Sequence, residues 1–255
     1  MSPAKSTNET DPFANWDRHY DTFKKDNPGV SYTRVQMERI AESLKQGASH
    51  PTLGRNIAKH EDWWDAGVST FDRYRNQFSI RKNSKVVDYG CGSLRVGGHF
   101  IRFLDPGCYF GLDLARGLYE IGQDVLGPQM LAEKAPRFGT VESEALDEAV
   151  AFGADFVFST SVAFHVHPDE MPLYHDNLVK LTAKPGAVLF FDTKISERPL
   201  RYRERAWAWP LQTYLEALAP LQFVRATKLA ERTEMGVRFE NQILEFRRTA
   251  ETGKR

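Results

Sequence analysis

Two acidic residues and two glycines near position 90 carry the clearest chemical signal in the chain. Asp88 follows the apolar pair Val86-Val87, Gly90 and Gly92 come next, and Asp113 lies 21 residues after Gly92. Glycines between a buried strand and a helix let the backbone turn tightly and approach a ligand closely. The segment therefore predicts a ligand-binding turn at the carboxyl end of a strand.

The residue types around this turn narrow the class of ligand. A dinucleotide site expects a third glycine where this chain has Arg95, because pyrophosphate binds at the helix N-terminus. The Asp88 carboxylate would repel pyrophosphate but suits an ammonium and a sulfonium, which S-adenosylmethionine carries. Asp113 could accept hydrogen bonds from both ribose hydroxyls of the same ligand. The alternative for Asp113 is a helix N-cap, since it precedes Leu114.

Four segments resemble the motifs of class I S-adenosylmethionine-dependent methyltransferases. Residues 86–97 resemble motif I, 109–113 motif II, 155–165 the fourth-strand motif of small-molecule members, and 178–186 the approach to the fifth strand. One departure is Leu94, where the family often has a third glycine. The resemblance, over 85–247, implies S-adenosylmethionine as cofactor and S-adenosylhomocysteine as product. The cofactor residues it implies are Asp88, Gly90, Cys91, Gly92, Asp113, Leu114 and Ser159.

Two histidines just after the fourth strand are the candidates for catalysis. Methyl transfer depends mainly on holding the acceptor close and aligned. A hydroxyl acceptor must also lose its proton, and His165 or His167 could remove it near neutral pH. The alternative is structural, since the histidine matching His165 in related sequences often packs against or caps the next helix.

The candidates for acceptor binding are aromatic and basic residues in two other segments. Trp63 and Trp64 could roof a pocket, although burial of one tryptophan in the core is the alternative. Arg201 and Tyr202 belong to an arginine-rich loop after the fifth strand, which could bind an acidic acceptor. The alternative is that this loop is simply solvated. We expect no metal site.

The pattern of apolar residues predicts the elements that position these side chains. Residues 1–11 are expected to be a flexible tail, 12–80 a helical extension or cap, and 81–250 the methyltransferase domain. From Lys85 onwards strands and helices alternate, which predicts an α/β, Rossmann-like, mostly parallel seven-stranded sheet covered by helices on both faces. Short helices are expected near 95–104 and 115–122.

The amino-acid composition narrows the cellular location and the binding partners that we expect. Lys+Arg and Asp+Glu are both 34, so the net charge of zero gives no general attraction to nucleic acid or anionic membrane. Two cysteines and a polar N-terminus predict a reduced, cytoplasmic protein. The sequence thus predicts methyl transfer to a hydroxyl or amine of a small-molecule, sugar or peptide acceptor. A non-catalytic cofactor-binding module, an NAD(P)-dependent oxidoreductase and a homodimer remain open.

Overall fold

The computed structural model describes residues 14–48, 60–234 and 236–249. The predicted tail at 1–11 lies outside these residues, as does part of the predicted extension. The described α-helices are α1 Ala14–Asp26, α2 Tyr32–Lys45, α3 His60–Gln77, α4 Gly97–Phe103, α5 Arg116–Lys134, α6 Ser143–Phe152, α7 Met171–Leu181 and α8 Leu211–Ala217. The strands are β1 Val86–Tyr89, β2 Tyr109–Asp113, β3 Arg137–Thr140, β4 Phe156–Ser159, β5 Val188–Ile195, β6 Leu200–Arg203, β7 Ala206–Ala208, β8 Gln222–Glu234 and β9 Val237–Arg247.

Seven of these strands form one sheet in the order β3-β2-β1-β4-β5-β9-β8. The pairs among β1 to β5 are parallel, and β9 and β8 are antiparallel additions at one edge. The chain crosses from β3 to β4 on the other side of β1, so the strand order reverses between β1 and β4. Ligands of open α/β sheets bind at such a switch point, beyond the carboxyl ends of the strands. The predicted fold class is confirmed.

Each face of the sheet is covered by helices over its own apolar cluster. Alternate residues of a strand point to opposite faces, so Val87 and Val86 contribute to different clusters. Tyr74 of α3 is buried and packs with its ring 4.9 Å from the ring of Phe190 in β5. Helix α3 therefore forms part of the layer that covers the sheet. Among the described helices, none is long and apolar enough to cross a bilayer.

Several elements differ from the sequence-based expectation. Helix α5 runs well past the predicted end at Gly122, with non-helical backbone only at Gly127, before Pro128. Helix α6 was not predicted, although Leu146, Ala149 and Phe152 recur with helical spacing on its buried side. The predicted arginine-rich loop instead forms the two-stranded sheet β6-β7.

Leu94 shows how the chain replaces the third glycine of the motif. Its φ is +60°, the left-handed conformation in which a side chain is strained and glycine is favoured. The side chain is fully buried. It fits because Gly122 of α5 has no side chain: an added Cβ there would lie 2.6 Å from the Leu94 Cβ and 2.4 Å from the Ser93 carbonyl oxygen. Gly122 is therefore the residue that allows leucine at position 94.

We expect Gly122→Ala to lower the free energy of unfolding by about 1–3 kcal/mol, since an added methyl group must displace the packed turn. Urea unfolding with and without S-adenosylhomocysteine would measure the loss, and the affinity should fall with it. Asp124→Ala, at an exposed position of the same helix, is the control. Equal stability of the two variants would contradict this packing.

Candidate functional site

The backbone after β1 is wound so that alternate residues take the left-handed conformation. The φ values are +85° at Gly90, +52° at Gly92 and +60° at Leu94. The amides of Gly90 and Cys91 both donate to the Leu112 carbonyl oxygen, at 2.7 and 3.0 Å. These bonds tie the turn to the end of β2, where Asp113 lies.

Asp113 joins the two strand ends through its carboxylate. Oδ2 accepts a hydrogen bond from the Gly92 amide at 2.8 Å, and Oδ1 accepts one from the Ala115 amide at 3.0 Å. Burial raises the pKa of this carboxyl, and the bonds from the main chain oppose that rise. A carboxylate offers about four acceptor positions, so both oxygens retain capacity for the two hydroxyls of a ribose. The N-cap of α5 is Ala115 and not Asp113, so the N-cap alternative is wrong, although the bond from the Ala115 amide ties Asp113 to the start of the helix.

Asp88 lies beneath the same turn and is 3% exposed. Its Oδ2 accepts a hydrogen bond from the Tyr109 hydroxyl at 2.8 Å. Burial raises its pKa to about 7, against the effect of the Tyr109 bond and with a smaller contribution from Asp113. A bound cation would lower that pKa again, so this carboxyl fits a ligand that carries positive charge. Tyr109 is a functional contact that sequence reasoning missed, because only the pairing of β1 with β2 brings it to Asp88.

The segment after β4 closes the other side of the turn. Val162 packs so tightly on Gly90 that an added Cβ would lie 2.4 Å from its Cγ2. The Ser161 amide donates to Asp192 Oδ1 of β5 at 2.6 Å. Ser159 is fully buried and accepts a hydrogen bond from the Tyr174 hydroxyl. The carboxyl ends of β1, β2, β4 and β5 are thereby held together.

The two candidate histidines have different surroundings. His165 is exposed, and its Nδ1 lies 2.6 Å from the Arg205 carbonyl oxygen. That carbonyl can only accept, so Nδ1 carries the hydrogen and Nε2 is the basic nitrogen. Desolvation lowers the pKa of His165, the hydrogen bond to the Arg205 carbonyl opposes that shift, and the positive charges of Arg205, Lys194 and Arg203 add to it. At neutral pH His165 is therefore an uncharged potential base.

His167 is instead engaged in packing. Its ring stacks on Tyr20 of α1, with centroids 3.6 Å apart and planes at 15°. Its Nδ1 accepts a hydrogen bond from the Asp169 amide at 3.3 Å, which caps the following 3-10 turn. The structure thus separates two histidines that the sequence could not distinguish.

The four residues predicted to bind the acceptor are spread over the molecule. Trp63 is 2% exposed and donates its indole N–H to the Ser93 carbonyl oxygen at 3.1 Å, which supports the glycine turn from behind. Trp64 packs edge-on against Trp63 and is partly buried. Arg201 forms a salt bridge with Asp17 at 2.5 Å. Tyr202 is buried, with its ring 4.5 Å from that of Phe239.

Helices α1 and α2, here called the N-terminal helix pair, contact the loops beyond the strand ends. The Tyr20 hydroxyl donates to Asp169 Oδ2 at 2.8 Å, and the Tyr32 amide donates to Glu170 Oε1 at 2.8 Å. Arg34 of α2 forms a salt bridge with Glu142 at 2.7 Å. These contacts join residues more than 100 positions apart, which sequence spacing cannot reveal.

Comparison with known proteins gives one relative by sequence and many by structure. No protein-family model matches the chain. A tRNA U34 carboxymethyltransferase of Hydrogenovibrio crunogenus (strain DSM 25203 / XCL-2) is 30% identical over 138 residues, which are 53% of this chain and 38% of that protein. The chain thus matches less than half the length of this relative.

Three solved structures illustrate the structural similarity. The [4+2]-cyclase SpnF has a TM-score of 0.57 at 14% identity, covering 82% of this chain and 91% of its own. The N-methyltransferase NodS from Bradyrhizobium japonicum WM9, in complex with S-adenosyl-L-homocysteine, has a TM-score of 0.54 at 14% identity, covering 84% and 99%. Magnesium protoporphyrin IX methyltransferase (ChlM) from Synechocystis PCC 6803 with bound SAM has a TM-score of 0.50 at 13% identity, covering 91% of each chain. The chain therefore has the fold of class I S-adenosylmethionine-dependent methyltransferases.

We expect Asp88→Asn to stabilise the ligand-free protein above neutral pH. The native state keeps the Asp88 proton up to a pKa of about 7, whereas the unfolded chain releases it near 3.8, so the wild type loses stability as pH rises between these values. At about 1.4 kcal/mol per pKa unit the whole loss is on the order of 4 kcal/mol, and the part that falls above pH 5 is about 3 kcal/mol.

Urea unfolding from pH 5 to pH 8 would measure this difference, with Asp124→Asn as the exposed control. The Asp88→Asn variant should show a flatter pH dependence and weaker binding of S-adenosylhomocysteine. Parallel pH profiles for wild type and variant would exclude Asp88 as the source of the slope.

Proposed function

We propose that this protein transfers the methyl group of S-adenosylmethionine to a hydroxyl, or else an amine, of a small or medium-sized acceptor. The observation that carries the proposal is the pair of buried carboxylates, Asp88 and Asp113, on the two sides of the left-handed turn at Gly90 and Gly92. Acceptors of hydrogen bonds for a ribose and negative charge for a cation occur there together. A fold alone would not support this, since proteins with other activities, such as the [4+2]-cyclase SpnF, share it.

The residues of the chain have separate parts in this reaction. Asp113 would bind the ribose hydroxyls, while Asp88 and the main chain of the turn would hold the positively charged end. When bound, S-adenosylmethionine supplies an electrophilic methyl carbon and leaves as S-adenosylhomocysteine. His165 Nε2 would take the proton of an acceptor hydroxyl as the new bond to carbon forms. Positioning of the acceptor by the surrounding loops would provide the remainder of the rate.

A small acceptor is favoured over a nucleic acid. The relative from Hydrogenovibrio crunogenus is named for a tRNA acceptor and a carboxymethyl group. This chain has a net charge of zero, whereas phosphate backbones are bound by an excess of lysine and arginine. Secondary metabolites, sugars and modified peptides are the acceptor classes to be screened. A non-catalytic cofactor-binding role is the alternative, and turnover with a true acceptor separates the two.

The first test is calorimetric titration with S-adenosylhomocysteine, for which we expect micromolar or tighter binding, about −8 kcal/mol. Asp113→Ala should weaken that binding by about 1–3 kcal/mol, because a charged hydrogen-bond acceptor is lost. Asp105→Ala, at an exposed position before β2, should leave it unchanged. Absence of binding by the wild type would refute the proposed function, and unchanged binding by Asp113→Ala would refute the ribose assignment.

The pH dependence of turnover tests His165 once an acceptor is found. Because the pKa of His165 lies below the ordinary value of about 6.5, the base is available throughout the neutral range. We expect kcat/KM to rise with pH to a midpoint below that value and then to stay constant.

His165→Ala should lower kcat by about 10²- to 10⁴-fold, with the affinity for S-adenosylhomocysteine within twofold of the wild type. His165→Gln, which keeps a polar side chain but no base, is the matched variant. Full activity of either variant would leave His165 a purely structural role.

A further inference from the structure

Lys194, near the end of β5, is a partly buried cation beside the candidate base. Its Nζ lies 4.5 Å from the centroid of the Phe164 ring and 5.9 Å from that of Phe239. Within the described residues its ammonium has no hydrogen-bond acceptor and no salt-bridge partner. Burial lowers the pKa of Lys194, so its charge is held in surroundings that solvate it poorly. A negatively charged ligand would compensate for this loss of solvation.

Two arginines of this region are paired with acidic residues. Arg201 pairs with Asp17, and Arg203 with Glu234 at 2.7 Å. Asp192 attracts Lys194, but its Oδ1 accepts the amide of Ser161. Arg232 and Arg203 add positive charge and Glu234 negative charge at longer range. Lys194 is therefore a cation of this region that takes part in no ion pair among the described residues.

Lys194 and His165 both contact the ring of Phe164. The Phe164 ring has the Lys194 ammonium near its face and the His165 ring 4.4 Å from its centroid. An anion bound to Lys194 would therefore lie near His165, whose pKa the Lys194 charge already lowers. A small aromatic or sugar acceptor that carries both a hydroxyl and an acidic group would contact both residues.

We propose that Lys194 binds an oxyanion, a carboxylate or a phosphate, on the acceptor, and so selects acidic acceptors. This inference rests on the proposed function, because the acceptor is defined by the methyl transfer. Binding of an anion at Lys194 can nevertheless be measured without turnover. The sequence analysis expected Arg201 to bind an acidic acceptor, but Arg201 is paired with Asp17. We assign that role to Lys194 instead. The contact is a single charge-assisted hydrogen bond above an aromatic ring.

The test is titration of the S-adenosylhomocysteine complex with three probes: benzoate, phenyl phosphate and neutral benzamide. Benzoate and phenyl phosphate distinguish the two sources of the oxyanion. The proteins are the wild type, Lys194→Met, Lys194→Arg and the control Lys180→Met, which removes an exposed lysine of α7. Titration of each protein with S-adenosylhomocysteine, and of the ligand-free proteins with the same probes, shows separately whether the cofactor site is intact.

We expect at least one anion to bind more tightly than benzamide. Lys194→Met should weaken that anion by about tenfold, the scale of one charged contact, with Lys194→Arg and Lys180→Met close to wild type. Equal binding of anions and benzamide, or anion binding that survives in Lys194→Met, would overturn the inference even if S-adenosylhomocysteine binds. Failure of S-adenosylhomocysteine to bind would overturn the proposed function instead, and the result with the ligand-free protein would still decide whether Lys194 binds an oxyanion.

Discussion

The hydrogen bond from the Gly92 amide to Asp113 Oδ2 is the contact on which the candidate site depends. It fixes the turn after β1 to the end of β2 and can form only when the backbone takes the left-handed conformation at alternate positions. Two of those positions are glycine and the third is Leu94, whose strain is accepted because Gly122 leaves space for it. Motif, sheet and helix α5 therefore support one another, and none of them alone would hold the turn.

The same arrangement destabilises the ligand-free protein, because it buries two carboxyl groups. Asp88 and Asp113 are both buried, and burial raises the pKa of each. Evolution toward stability alone would replace such carboxyls with apolar or neutral residues. Hydrogen bonds from Tyr109 and from the main chain reduce the cost without removing it. A cationic ligand with a ribose would remove more of it, which links the instability of the empty site to its capacity to bind.

The sequence was sufficient for the sheet, because the sheet depends on local patterns, whereas the assignment of Asp88, Gly90 and Asp113 to the cofactor stays a prediction. Buried strands are recognised in the sequence as short apolar runs. Asp88 and Gly90 follow one such run, and Asp113 ends the next. The sequence was insufficient wherever a contact joins segments that are far apart along the chain. The Tyr109 bond to Asp88, the stacking of His167 on Tyr20 and the pairing of Arg201 with Asp17 depend on tertiary packing. The helix predicted over 115–122 is also too short, since α5 continues through Gly122 to Lys134.

The segment after β4 connects the cofactor side to the acceptor side. In seven residues it places Val162 on Gly90, the Ser161 amide on Asp192, Phe164 under Lys194, and His167 against Tyr20. A shift of this segment would therefore act on the glycine turn, the candidate base and the N-terminal helix pair together. The helix pair also contacts Asp169 and Glu170 just beyond this segment, so a displacement of the pair would be passed on to the segment. The pair is held by apolar packing as well as by polar bonds, since Ala41 and Leu44 of α2 are buried against Ala115 and Leu118. Movement of the helix pair would therefore break a small apolar cluster together with the polar bonds to the loops.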